Sequence, residues 1–226
     1  MPNSTSLPEV VLVQNTFINV KSDEEELPRT ISDQTHARKR QPILVSKIET
    51  IEEATSAEWH PESHSMGILS SDGLQFTKTQ FDGRLSMITE HLVRSSGVMR
   101  YVVELTSGHL SAADGIGFIF YDKLPCRINI QLIDSIFISR KGQVCIRLHG
   151  ESTLKYQYIC PLEIGMSVEM VVDLDKYTVT FSVYKEACLG SAAVNFAEIV
   201  PRLPHGALGF FCAILKNSGT RLTFKP

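Results

Sequence analysis

The chain has 226 residues, with 22 Lys and Arg against 25 Asp and Glu, a formal net charge of −3, and 43% hydrophobic residues. That is enough apolar material for one full core, and the near-neutral balance leaves no basic footprint for nucleic acid. No apolar run approaches the ~20 residues of a membrane helix, so neither nucleic acid nor a membrane is an expected partner.

In chain order, the opening MPNSTSLPEV has no basic-then-apolar leader pattern, which makes the cytoplasm the expected location. Residues 1–8 are rich in Pro, Ser and Asn and predict disorder. Val10–Val20, VVLVQNTFINV, is strongly β-prone and predicts either an added strand or a docking segment for another protein. The acidic run Asp23–Glu26, the basic triplet Arg38-Lys39-Arg40, Pro28 and Pro42 compose a linker, with the nucleus as the alternative address through the triplet. Thr50 and Glu53 have capping-box spacing and predict a short helix, Thr50–Glu58. Residues 1–58 are thus expected to form a flexible arm and 59–226 a folded domain.

From Trp59 onward the texture changes to short strands with polar breaks. Met66–Leu69 and Leu74–Phe81 flank Asp72-Gly73, a strong hairpin signal, and Asp82-Gly83 repeats the signal before Arg84–Ile88. Further strands are predicted after Gly97, at Ala113–Phe120, at Ser135–Ser139 and Gln143–Leu148 around Arg140-Lys141-Gly142, and at Leu154–Ile159. The clearest stretch is Ile164–Phe196. Val168, Met170, Val172 and Leu174 alternate with Glu169, Val171 and Asp173. After Asp175-Lys176-Tyr177, Val179, Phe181 and Val183 alternate with polar residues. A period of two on both sides of a polar break is an antiparallel hairpin with one buried face. Gly206–Leu215 and Thr220–Phe224 complete the set.

Several of these stretches resemble a known family. Gly165, Val168–Leu174, Asp175, Thr180-Phe181-Ser182, Leu189-Gly190 and Phe196 are similar to the C-terminal half of SPRY domains. Ser95-Ser96-Gly97, Tyr101 and Val103-Glu104 are similar to that family's Ser-Ser-Gly-x-x-Tyr-Trp-Glu-Val strand, with Val102 in place of Trp. Tyr184-Lys185-Glu186 stands where the family has an Asn-Gly turn. Ala113–Phe120, ADGIGFIF, also resembles a strand of legume-type lectins. Both likenesses imply an all-β, concanavalin A-like, two-sheet antiparallel sandwich. The first implies a non-enzymatic protein-interaction module, and the second a carbohydrate-binding domain with Asp114 contacting sugar.

The residues themselves carry little reaction chemistry. Glu169, Asp173 and Asp175 share strand parity, yet Asp173 and Asp175 fit the polar end of a strand entering a turn. Seven histidines show no HExxH or helical pairing, and no phosphate loop or GxSxG elbow occurs. Five scattered cysteines without CxxC spacing read as buried reduced thiols. Neither a metal nor a cofactor is expected. Binding then falls to strand-end loops that mix aromatic, Arg and Lys side chains, the residue types of interface hot spots. The candidates are Tyr121, Asp122, Lys123, Arg127, Arg140, Lys141, Tyr156, Tyr158, Tyr184 and Lys185. A protein or peptide is the expected partner, and a carbohydrate the alternative.

Overall fold

The structure, a computed structural model, describes residues 57–62, 67–81, 83–126, 128–149, 151 and 153–225. Residues 1–56 lie outside these, and with them the Val10–Val20 segment and nearly all of the expected Thr50–Glu58 helix. The described strands are β1 (Gly67–Leu69), β2 (Gln75–Lys78), β3 (Ser86–Thr89), β4 (Val98–Ser107), β5 (Gly115–Ile119), β6 (Ser135–Ser139) and β7 (Gln143–Arg147). They continue as β8 (Leu154–Tyr158), β9 (Ser167–Asp173), β10 (Thr178–Tyr184), β11 (Cys188–Asn195), β12 (Phe210–Leu215) and β13 (Arg221–Lys225). Two antiparallel sheets result, ordered β1-β2-β13-β4-β9-β10-β11 and β3-β12-β5-β6-β7-β8. The late strands β13 and β12 are each inserted between early ones.

The β9–β10 hairpin shows how pattern becomes structure. Val168 faces Val183, Met170 faces Phe181 and Val172 faces Val179, all buried, while the intervening residues stay half-exposed. Burial of each such side chain contributes roughly 1.5–3 kcal/mol. Asp173 closes the turn by accepting the Asp175 and Lys176 N–H groups at 3.1 and 2.8 Å. Tyr177 takes a left-handed backbone with φ +55°, a conformation that L residues rarely adopt.

At the heart of the sandwich Trp59 stacks on Phe224 at 4.2 Å, Phe224 meets Phe211 at 5.2 Å, and Phe211 stacks on Tyr101 at 4.8 Å. The Trp59 indole N–H donates to the Leu74 carbonyl at 3.0 Å, so this residue is a packing element of the core. Beside it lies Glu90, fully buried. One carboxylate oxygen accepts the Tyr101 hydroxyl at 2.7 Å and the Phe211 N–H at 2.8 Å, and the other faces the Arg94 guanidinium at 3.3 Å. Burial raises the Glu90 pKa above the usual carboxylate value, and these donors pull against that rise. The carboxylate ties the end of β3 to β4 and β12, that is, one sheet to the other.

Two expectations need correction, and two further elements carry no clear signal in the sequence. Asp82-Gly83 does not close a hairpin: β2 and β3 lie in different sheets, so this stretch is a crossover. The buried Lys78 ammonium holds it by donating to the Arg84, Leu215 and Lys216 carbonyls. The strand β11 was not foreseen, because Gly190, Ser191, Ala192 and Ala193 lack β-branched bulk and are extended by pairing with β10. Cys188 is exposed at the start of that strand, whereas Cys145 and Cys212 are buried as expected; all five thiols are free. Finally, Ala197–Arg202 forms a 3-10 helix whose first N–H is bound by the Asn195 side chain at 2.9 Å.

Candidate functional site

Register separates the expected binding residues into two groups. β5 starts at Gly115 opposite Ser139 and finishes at Ile119 opposite Ser135. Tyr121, Asp122 and Lys123 therefore leave the six-stranded sheet at one end, and Arg140 and Lys141 at the other. Tyr184 and Lys185 follow the end of β10 remote from its Asp173–Tyr177 turn. That turn lines one cavity with His205, which contacts Tyr121, so Tyr184 and Lys185 share the Arg140 end. On the edge strand β8 both Tyr156 and Tyr158 are exposed, and a bulge sets Tyr158 beside Gln143 and Lys155 beside Cys145. Arg127 lies outside the described residues. The nine described candidates do not form one surface.

At the Arg140 end the buried Arg140 Nε has no hydrogen-bond partner, and the neighbouring main chain and Tyr184 are engaged in holding the fold. The Arg140 main chain accepts from Leu162 and donates to Asp114, each at 2.8 Å. Tyr184 donates to Glu169 at 2.8 Å, and Glu169 also pairs with Arg100. That hydrogen bond, followed by burial, pushes the phenol above its ordinary pKa. Asp114 is buried. One oxygen accepts the Ser111 N–H at 2.7 Å and the other the Lys216 N–H at 2.8 Å, which is turn chemistry. Its pKa is raised, with burial the largest cause.

The Tyr121 end is different. Segment 120–134 is closed by the Phe120 N–H donating to the Asp134 carbonyl at 2.9 Å. Asn129 caps a 3-10 turn, Ile130–Leu132, through its side chain at 3.0 Å. Leu124, Cys126, Ile128 and Ile130 pack onto Ile119, Ile133, Phe210 and Cys212 in a small second core on the outer face of the six-stranded sheet. That packing fixes the start of the segment. Tyr121 meets His205 edge to face at 5.7 Å, and the Asp122 carboxylate lies 3.5 Å from the His205 ring nitrogen. The second Asp122 oxygen is buried with no hydrogen-bond partner. Beside His205 opens a cavity of about 480 Å³ lined by Ser95, Asp175, Tyr177, Val200 and Leu208 among others. Sequence reasoning found Tyr121 and Asp122 as polar and aromatic residues at a strand end. It missed His205, Ser95 and Tyr177, which only the tertiary fold brings to them.

No protein-family model matches the sequence, and no curated protein matches it. Solved structures do. The SPRY domain of human HERC1 superposes with a TM-score of 0.53 at 14% identity, covering 74% of this chain and 96% of that one. The PSpry domain of TRIM65 gives 0.52 at 15% identity, covering 76% and 93%. A carbohydrate-binding module, CBM66 from Bacillus subtilis, gives 0.43 at 12% identity, covering 75% and 92%. The chain has the fold of SPRY domains, a two-sheet antiparallel β-sandwich.

Proposed function

We propose that this protein is a non-enzymatic interaction module that captures a peptide or a protein surface at its Tyr121 end. The observation that carries this reading is the Tyr121–Asp122–His205 cluster. Its side chains are already in mutual contact, and one buried carboxylate oxygen has no donor. A buried acceptor without a donor costs roughly 1–3 kcal/mol, so a partner N–H or O–H delivered there binds to a site prepared for it. Rigid sheets behind the loops keep the ordering cost low. The SPRY fold supports a protein partner. Asp114, the expected sugar contact, is buried and its two oxygens each accept a main-chain N–H group, which disfavours it as a partner for sugar hydroxyls.

The test is a linear peptide array probed in parallel with a glycan array, with affinities of the hits measured by calorimetry. Saturable peptide binding weakened about tenfold or more by Tyr121→Ala and by Asp122→Asn, and unchanged by Lys141→Ala at the opposite end, supports the reading. Sugar binding abolished by Asp114→Ala, with no peptide bound, overturns it.

A further inference from the structure

A second cavity lies on the outer face of the six-stranded sheet, on the other side of segment 120–134. It holds about 180 Å³ and is lined by Leu85, Gly115, Gly117, Ser135, Phe137 and Arg147 among others. The strand register explains its shape. Ser135 is paired with Arg147 across β6 and β7, and Gly117 sits between Cys212 and Phe137. The core-facing residues of β5 are Ile116 and Phe118, so Gly115 and Gly117 present a floor without side chains to the outside. A Cβ on Gly117 would overlap Phe137 and the Ile136 carbonyl, so the floor is held bare by close backbone approach.

At one end of this floor sits Arg147. Its guanidinium lies over the Phe137 ring, 4.8 Å from the centroid, and donates through Nη1 to the Ile130 carbonyl at 3.2 Å. Five N–H donors form the fork, and no carboxylate among the described residues lies within ion-pair distance of it. Partial burial depresses its pKa, the direction expected of a cation that has lost water without gaining an anion. The Ser135 hydroxyl beside it is buried and has no hydrogen-bond partner. Asp114 borders the far end, its two oxygens already held by the Ser111 and Lys216 N–H groups. Arg147 is the one Lys or Arg among the lining residues, so a monoanion with a carbon body is matched by one cation, the Ser135 hydroxyl and an apolar floor.

We infer that this cavity is a binding site for an apolar monocarboxylate, its carboxylate held by Arg147 and Ser135 and its carbon body laid along Phe137, Gly117 and Ile214. Arg147 and Ser135 lie at the same end of the sheet as Tyr121, but the cavity is lined by none of Tyr121, Asp122 and His205, and its test does not depend on a peptide binding to them.

The experiment titrates sodium 3-phenylpropionate into the protein and follows backbone amide resonances. Its neutral amide, inorganic phosphate and the capped peptide acetyl-Ala-Glu-Phe-amide are run beside it. Saturable shifts at Gly117, Ser135 and Phe137 are expected with 3-phenylpropionate, with the amide and phosphate each about tenfold weaker or worse. Arg147→Gln removes the binding and Ser135→Ala weakens it a few-fold, with melting temperatures recorded for both. If Arg147→Gln does not fold, Arg147→Lys stands in. It keeps the charge without the fork and is expected to bind about tenfold more weakly. Tighter binding of the peptide than of the free acid assigns the carboxylate to an acidic side chain of a partner, and the reverse assigns it to a small organic acid. Equal binding of acid and amide, stronger binding of phosphate, or indifference to Arg147 overturns the inference.

Discussion

Replacing Glu90 with Ala tests how the two sheets are tied together. The side chain is the acceptor for two buried donors, the Tyr101 hydroxyl at 2.7 Å and the Phe211 N–H at 2.8 Å. Each donor left unsatisfied costs about 1–3 kcal/mol, and Arg94, itself partly exposed, can turn to water at little cost. The expected loss is about 3–5 kcal/mol, the range for breaking a buried charged network by removing one member. For a domain of this size that lowers the melting temperature by roughly 6–20 °C. Tyr101→Phe removes a donor and leaves the carboxylate with its other partners, so about 1–2 kcal/mol is expected. In the double variant the orphaned hydroxyl is gone, and the cost should fall short of the sum by about 1–2 kcal/mol. Urea titration followed by Trp59 fluorescence reads all three. A Glu90→Ala variant within about 1 kcal/mol of wild type, or strict additivity, would refute the idea that this carboxylate joins the sheets.

Two further outcomes follow from particular positions. Gly142→Ala places a Cβ onto the Cys160 main chain at φ +78°, whereas Gly165→Ala at φ +87° meets open space. Urea melts should show a loss of about 1–2 kcal/mol for Gly165→Ala and distinctly more for Gly142→Ala; equal losses would show that the Cys160 segment yields freely. The raised pKa of Asp114 means that the folded chain holds this proton more tightly than the unfolded one. Stability from this group is therefore greatest below its ordinary value of 3.8 and is lost as pH rises toward its higher folded value. Wild type should lose stability relative to Asp114→Asn across that window; a relative gain would show that the two N–H donors and Lys78 outweigh burial.

The all-β class and most strands were legible because one face of each sheet is buried and the sequence alternates accordingly. Val168 to Val183 is the clearest instance, and its two alternating apolar faces meet across an antiparallel pair as the pattern predicts. Where burial is two-sided or pairing alone extends the chain, the signal disappears, as at Gly190–Ala193. Glu90 and Lys78 were invisible because a charged residue in a strand normally marks the wet face; here hydrogen bonds outweigh that preference. Of the binding candidates, Tyr121 and Asp122 were legible from residue type and strand-end position. His205 was not, since a lone histidine in a long loop carries no spacing signal. Arg147 carries no signal of its own within the Gln143–Leu148 strand, and only the bare glycine floor and the ring beneath it set it apart.

The insertion of β13 between β2 and β4, and of β12 between β3 and β5, bears on how the chain is made. During translation the six-stranded sheet cannot close until Leu215 has left the ribosome, nor the seven-stranded sheet until Lys225 has, because a central strand of each arrives last. The β1–β2 and β9–β10 hairpins can form early, but β3 must wait for β12, and β2 for its second neighbour β13, each more than a hundred residues downstream. Such long-range pairings slow folding and leave unsatisfied strand edges exposed meanwhile. A chain stopped before Phe210 lacks a central strand in both sheets, so neither sheet can be completed.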